Sequence, residues 1–574
     1  MIKKNTNILK HRFTVFYLII LGIFVASMAI RLYGAYSIKL SNAEAEVLLS
    51  LAKINETGST TLFYGLAIRI MQFLGVNSVF GIRFVNVIMG ALITIFPALF
   101  YREIGKRTAI IASLFLSFDP FGIANSIVFT GNIATLLFLG LILNAILHDC
   151  NKLIPLTILL LVGHGRGLGS FGLFAILFLF ILFFVKRNLF SNSIKVIKDI
   201  FSQKIIVTAA GSAIVLVFIL AIIFKIPLSN IAADFTSFVS GRGSNYQTGN
   251  YPIVYIFAII SSIPFAVITL LAFFIKRTGE GDNTKGISFL WLALMVLIIM
   301  FYPEHLIIDL IWVSIPLCII AATLVDEFIL KYFHLFRNEW PFLAVLFSVG
   351  INLGLNLITY VYRLVWGLDV TNALLTILFI SIFTIVMLLY KAYTSSISNA
   401  ISSLVLVLLV FGGIAQLSIA ARAVGINKKP ENEILWNGYF EGYGLVSEII
   451  DTTKTNLNGT SGKLDVFIDG EVRPVEIWAV NSENIYTQKS DVLSLHPEVV
   501  ISSNQTINIS EDNFQGQEFI SESYPLWTWD PAGSFFSTDY WNWFFFRNNL
   551  QYKEYNSIWT NKTLMNNKIN IGAN

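Results

Sequence analysis

This chain divides at about Arg422. Before that point, long apolar runs alternate with short polar loops; after it, roughly 150 residues contain no membrane-length run. An apolar stretch of about 20 residues crosses a bilayer as a helix. Residues 1–421 therefore read as one polytopic membrane domain, and residues 422–574 as a single soluble domain appended to it. Composition agrees: 55% of residues are hydrophobic and 13% are charged, against about 25% charged in an ordinary soluble domain.

The apolar runs are Phe13–Leu32, Phe84–Tyr101, Thr108–Phe121, Ile127–His148, Leu153–Val162, Phe171–Phe184, Ile205–Phe224, Pro252–Ile275, Ile287–Met300, Leu306–Val325, Pro341–Tyr360, Ala373–Tyr390 and Ile401–Ala421. They predict about 13 spans. Two regions are broken. Asp119-Pro120 interrupts one, since proline removes a helix donor, and Gly163-His164-Gly165-Arg166-Gly167 interrupts the other. Phe13–Leu32 lacks a small-x-small cleavage site and is taken as the first span rather than a removed signal.

Cytoplasmic loops carry excess Lys and Arg. With Lys3, Lys4, Lys10 and Arg12 inside, the next inside loops hold Arg102, Lys106 and Arg107, then Lys152, then Lys186 through Lys204. Lys276, Arg277 and Lys285, then Lys331 and Arg337, then Lys391 continue the pattern. The intervening loops, 33–83, 225–251, 301–305 and 361–372, are poorer in cations for their length. The expectation is a cytoplasmic N-terminus and an extracytoplasmic tail in a multi-pass protein of the cell membrane. Sequons at Asn55, Asn458, Asn504, Asn508 and Asn561 all fall in segments assigned outside. The net charge of +4 sits mostly in loops and gives no reason to expect nucleic acid. The two cysteines, Cys150 and Cys318, lie in or beside apolar runs, so the tail has no disulfide framework.

The outer face holds the polar residues of interest. Glu44 and Glu46 lie in a helix-forming stretch just past the first span, where a carboxylate serves as general base or metal ligand, or simply starts a helix. Residues 61–71 suit an interfacial helix. Asp119 lies at membrane depth, lining a cavity or reaching the interface from a helix end. Arg166 matches phosphate geometry, or snorkels to the outer interface. Glu304 and His305 form a short outer turn, with Asp309 one helical turn into the next span; His305 meets an anionic headgroup or merely sits in that turn. The tail reads as a small α/β domain: a helix over Gly442–Asn456, strands over Lys463–Ile468, Val475–Val480, Glu498–Ser502 and Phe519–Ser523, and an aromatic end, Tyr540–Arg547. Those aromatics either stack on sugars or pack the tail onto the membrane domain.

This pattern resembles the GT-C superfamily of integral membrane glycosyltransferases, in its protein O-mannosyltransferase and aminoarabinose-transferase branch, which includes flippase-associated prokaryotic members. The likeness lies in the span count, the long first outer loop and the outer C-terminal domain. Ala43-Glu44 stands at the family's Asp-Glu pair, Thr61-Leu62-Phe63-Tyr64 at its Pro-Leu-Tyr-Tyr segment, and Gly75–Arg83 at its Gly/Ser-then-Arg segment. Asn132 falls where the family has a second acid, and Glu304-His305 resembles its charged late outer turn. The resemblance implies a polyprenyl-phosphate-linked sugar as donor. It implies an acceptor glycan, lipid or protein, and membrane lipids around the site. It also implies Glu44 or Glu46 as the catalytic carboxylate, with Asn132, Glu304 and His305 at the substrate, where the reading of the residues above adds Asp119 and Arg166 as candidates. The cofactor stays open, a divalent metal ion being the candidate. The catalytic motif is degenerate, because Ala43 and Asn132 cannot act as bases. A non-catalytic member that binds or helps move lipid-linked glycans is therefore the second expectation.

Overall fold

The computed structural model describes residues 2–38, 79–128, 132–147, 252–275, 283–301, 307–426, 443–458, 463–469, 473–480, 482–486, 497–503, 514–525, 538–546 and 551–562, with isolated residues between them. Everything below concerns those residues.

The membrane domain is helical. Its elements are α1 (Ile2–Ser37), α2 (Val79–Thr94), α3 (Lys106–Ser117), α4 (Pro120–Ile127), α5 (Asn132–Leu147), α6 (Pro252–Ser262), α7 (Pro264–Ile275) and α8 (Asn283–Phe301). There follow a 3-10 turn at Ile307–Leu310, α9 (Ile311–Asn338), α10 (Trp340–Val365), α11 (Thr371–Thr394) and α12 (Ile397–Ala423). Among the described residues six helices are long and apolar enough to cross a membrane, or seven if the bent pair α3–α4 is one span. Of the other expected spans, Pro252–Ile275 and Ile287–Met300 fall within α6 to α8, and the rest lie partly or wholly outside the described residues.

Prolines mark the breaks. Pro264 starts a new helix directly after Ile263, so Pro252–Ile275 is two helices rather than one continuous run. Pro120 sits at the first position of α4, and α3 and α4 meet at a 57° bend. Beyond the Asp119-Pro120 interruption, Pro120–Ile127 form an eight-residue helix whose every residue is buried. The reason is local: Asp119 accepts hydrogen bonds from the free Phe121 and Gly122 amides, and proline at the first helical position has no amide to satisfy. The second span begins at Val79 rather than Phe84, which puts Arg83 inside a helix. Of the first outer loop, Glu44, Ala45, Leu48 and Leu49 are helical; residues 61–71 and the Gly163–Gly167 break lie outside the described residues.

The bundle has two distinct ends. At one, Ser37 at the end of α1 donates to the carbonyl of Val424 just past α12 (2.5 Å), and Ile127 and Val424 pack against Gly34. At the other, Lys106 lies 5.7 Å over the Phe16 ring and Lys391 pairs with Glu339 at 2.5 Å. Hairpin α10–α11 keeps most of its apolar side chains exposed, as a lipid-facing pair requires.

The tail carries a five-stranded sheet of order β2-β1-β3-β5-β4, built from β1 (Asp465–Asp469), β2 (Asn484–Tyr486), β3 (Val499–Ser502), β4 (Phe514–Pro525) and β5 (Gln551–Asn561). β1 runs parallel to β2 and β3, and β5 antiparallel to β3 and β4. Val446 and Ile450 of the amphipathic helix α13 (Tyr443–Asn458) join the sheet's buried Val466, Ile468, Val499, Ile501 and Ile558 in one apolar core. Val475–Val480, expected as a strand, is instead helix α14 (Pro474–Ala479). Pro474 at its first position and Glu476 reaching back to the Arg473 amide start it. The aromatic end forms α15 (Thr538–Phe546), which packs on α10, Phe546 meeting Tyr362 edge-on at 6.1 Å. The tail therefore joins the end of the bundle where α10 and α12 finish.

Glu476 is sealed inside the tail, accepting from Ser521 (2.6 Å) and Asn556 (2.8 and 3.0 Å). Burial raises its pKa despite these bonds. A carboxyl raised on folding binds its proton more tightly in the folded state, so it favours folding below its ordinary value. That advantage is lost as pH rises through the window up to the folded value. Hydrogen exchange across β4 should reveal less protection as pH climbs through that window, and Glu476→Gln should flatten this trend; an unchanged trend removes Glu476 as its source. For topology, single cysteines in a cysteine-free background should label with an impermeant external reagent at positions 458 and 369 but not at 3, 198 or 391. Labelling at 391 would overturn the assignment of the two ends.

Candidate functional site

Three polar clusters lie at the tail-bearing end, and each satisfies helix ends. A helix leaves its last four carbonyls unbonded, and in lipid these need side-chain partners.

The first cluster closes α1. Arg83, buried on α2, donates from Nη1 to the carbonyls of Ala35 (2.9 Å) and Ile38 (2.6 Å). Its Nε and Nη2 hold the two oxygens of Glu44 at 2.8 Å each. Both side chains are 1% exposed. Glu44 is thus a clamped carboxylate, held by α2 against the end of α1. The second cluster closes α3. Arg31, also sealed, donates to the carbonyls of Leu116 (3.3 Å) and Ser117 (3.4 Å), to Ser126 Oγ (3.1 Å) and to Ser27. Gly90 makes room for this contact, because a Cβ there would meet Ser126. Across the bend, Asp119 caps α4 and accepts from Ser314 Oγ at 2.6 Å. A cation thus sits at the negative end of α3 and an anion at the positive end of α4, each the favourable sign.

The third cluster links five elements. Asn86 on α2 donates to the carbonyls of Asn125 and Val128, both at 2.7 Å, closing α4. Asn125 donates to the carbonyls of Phe121 (2.9 Å) and Ile308 (2.6 Å). Asn132, first residue of α5, donates to Asn125 Oδ1 (3.1 Å) and Asp309 Oδ1 (2.7 Å), and accepts from the Trp312 indole (3.3 Å). Asn132 and Asp309 are half-buried, whereas Asn86 and Asn125 are sealed. Pro316 on α9 has no amide to donate back to the Trp312 carbonyl.

Of the residues singled out from sequence, Glu44, Asp119 and Asn132 are described, and each belongs to a different cluster. Glu46, Arg166, Glu304 and His305 lie outside the described residues. Among the described residues no three His, Cys, Asp or Glu side chains converge as metal ligands. Sequence reasoning gave no site role to Arg31, Arg83, Asn86, Asn125, Asp309 and Trp312. Arg31 carried a usable signal, a charge inside an apolar run. The asparagines carried none, since an amide in a helix is common.

Breaking one partner of a sealed ion pair leaves a buried charge, a loss of about 3–5 kcal/mol. Arg83→Met should therefore lower stability by about that much in chemical unfolding in mixed micelles. Arg83→Met with Glu44→Leu should lose less than Arg83→Met alone. A double variant as unstable as the single one would show that the pair is not the source.

No protein-family model matches the sequence, and no curated protein matches it. The fold does match solved structures. One is ArnT from Cupriavidus metallidurans bound to undecaprenyl phosphate, with a TM-score of 0.51 and 11% identity, covering 86% of this chain and 93% of that one. The same protein in the apo state gives a TM-score of 0.49 and 11% identity over 84% and 92%. At such identity the likeness concerns architecture. This chain has an ArnT-like fold: a polytopic helical membrane domain with a small α/β domain at its C-terminal end.

Proposed function

We propose that this protein is a membrane glycosyltransferase that moves a sugar from a polyprenyl-phosphate-linked donor to an acceptor on the outer face of the membrane. One observation carries the reading: the fold likeness extends over 86% of the chain to a protein whose structure holds undecaprenyl phosphate. The buried polar clusters support it, since ionisable groups at membrane depth are costly and mark functional cavities. In this reading residues 1–421 form the lipid-binding domain and residues 422–574 the extracytoplasmic domain, with the N-terminus in the cytoplasm. Arg166 and His305 bind the lipid phosphate, Glu304 and Asp119 shape the cavity, and the first outer loop faces the acceptor, a glycan, lipid or protein. Glu46 is the first-loop candidate for the base, because Glu44 is held by Arg83.

The second reading is a non-catalytic protein that binds lipid-linked glycans or assists their translocation. The clamped state of Glu44 and the amide at Asn132 favour it. Two measurements on the purified protein separate the readings. Binding of undecaprenyl phosphate is expected under both. Release of undecaprenyl phosphate from undecaprenyl-phosphate-linked mannose, glucose or aminoarabinose is expected under the first alone. Arg166→Ala should weaken undecaprenyl-phosphate binding by about 1.5–3 kcal/mol, the range for hydrogen bonds to a charged group. Unchanged binding in a folded variant would return Arg166 to a snorkelling role.

A further inference from the structure

We infer that α10 presents the face on which a second copy of this chain docks within the membrane, paired through Asn352. Trp340 and Trp366 flank α10 and are 65% and 66% exposed, as indoles at the two membrane interfaces are. Asn352 lies between them, roughly 18 Å from one and 21 Å from the other at 1.5 Å per residue, and so near the middle of the hydrocarbon layer. It faces outward. Of the α10 span 11% is buried. Asn352 lines an open groove of about 420 Å³ between α10 and α11, together with Ser348, Phe379 and Phe383. An amide turned toward hydrocarbon at this depth is costly unless something in the groove bonds it.

The hydrogen bonds define what the occupant must supply. Ser348 and Thr359, on the same side of α10, return their hydroxyls to the carbonyls of Ala344 (2.9 Å) and Leu355 (2.8 Å) and need nothing more. Asn356 donates to the Asn352 carbonyl (2.9 Å) and to Asn352 Oδ1 (3.2 Å). That leaves the Asn352 amino group and Asn356 Oδ1 without partners among the described residues. An acyl or polyprenyl chain in the groove offers neither donor nor acceptor. A transmembrane helix with an amide at the same depth offers both. A second copy meets that need by symmetry. Both copies insert the same way, so a twofold axis along the membrane normal sets the two α10 helices parallel, with Asn352 facing Asn352. Each amino group then reaches the other copy's Oδ1, which has a lone pair beyond the one that Asn356 occupies. Ser348 and Ala344, one and two turns earlier, are small and exposed and let the helices approach closely. The pairing is independent of whether the protein transfers a sugar.

The test uses the full-length protein. In a background lacking Cys150 and Cys318, Asn352→Cys in cell membranes treated with copper phenanthroline should give a disulfide-linked species of twice the chain mass. Ile385→Cys, exposed on the side of α11 turned away from the groove, should not. Fluorescently labelled copies of the parent protein diluted into liposomes should show energy transfer between copies. Asn352→Leu removes the amide from an exposed site and should weaken that association by about tenfold, within the range for amide pairing between membrane helices. If Asn352→Leu does not fold, the cross-linking decides alone. No cross-link at position 352, one no stronger than at position 385, or a cross-link to a protein of another mass overturns the inference. So does association within about twofold of the parent in a folded Asn352→Leu, since the amide then contributes nothing.

Discussion

The tail-bearing end depends on a helix break that the membrane would not tolerate bare. Between Ser117 and Pro120 the backbone turns through 57° with protein on every side. Arg31 takes the carbonyls left by α3, and Asp119 takes the amides left by α4. Each charge faces the helix end of opposite sign, and each is sealed. Without that pairing α4 could not lie buried, and Asn125 and Asn132 would not reach the 3-10 turn at Ile307–Leu310.

Arginine is suited to this role because its planar fork offers five donors and stays charged when buried. Both sealed arginines bond the carbonyls of a helix C-terminus and contact α1 or belong to it. Arg83 closes α1 itself, while Arg31 reaches from α1 to close α3. The first helix thereby fixes the relative positions of α2, α3 and α4. Glu44 is drawn into the same arrangement, which turns an acidic residue just past the first span into part of the scaffold.

The tail is held to this end by aromatic packing. Phe546 on α15 meets Tyr362 at the end of α10, and Trp543 lies in the common apolar core. Within the sheet, Gly516 on β4 lets the Trp559 ring of β5 lie against the strand where a Cβ would stand. The domain thus meets the bundle through rings, which bury large area with few degrees of freedom. Sugar stacking and packing were both open for this aromatic end, and α15 uses its rings for packing.

Hydropathy alone determined much of this protein. The α10, α11 and α12 runs agree with their helices to within a few residues. Such features are legible because each is decided by the residue's own transfer energy over a window of about 20 residues. In the tail, the strands near Lys463, Glu498 and Phe519 were visible from β-branched and aromatic runs. Val475–Val480 was not, because its proline start and its Glu476 back-bond outweigh β propensity. The polar clusters were largely invisible. Glu44 and Arg83 are 39 residues apart, Arg31 and Ser126 are 95 apart, and Asn132 and Asp309 are 177 apart. A sequence states which groups can donate or accept. Only tertiary packing decides which carbonyls a helix break leaves bare, which side chain reaches them, and which carboxylate is enclosed, because burial and distance fix the strength and direction of a polar contact.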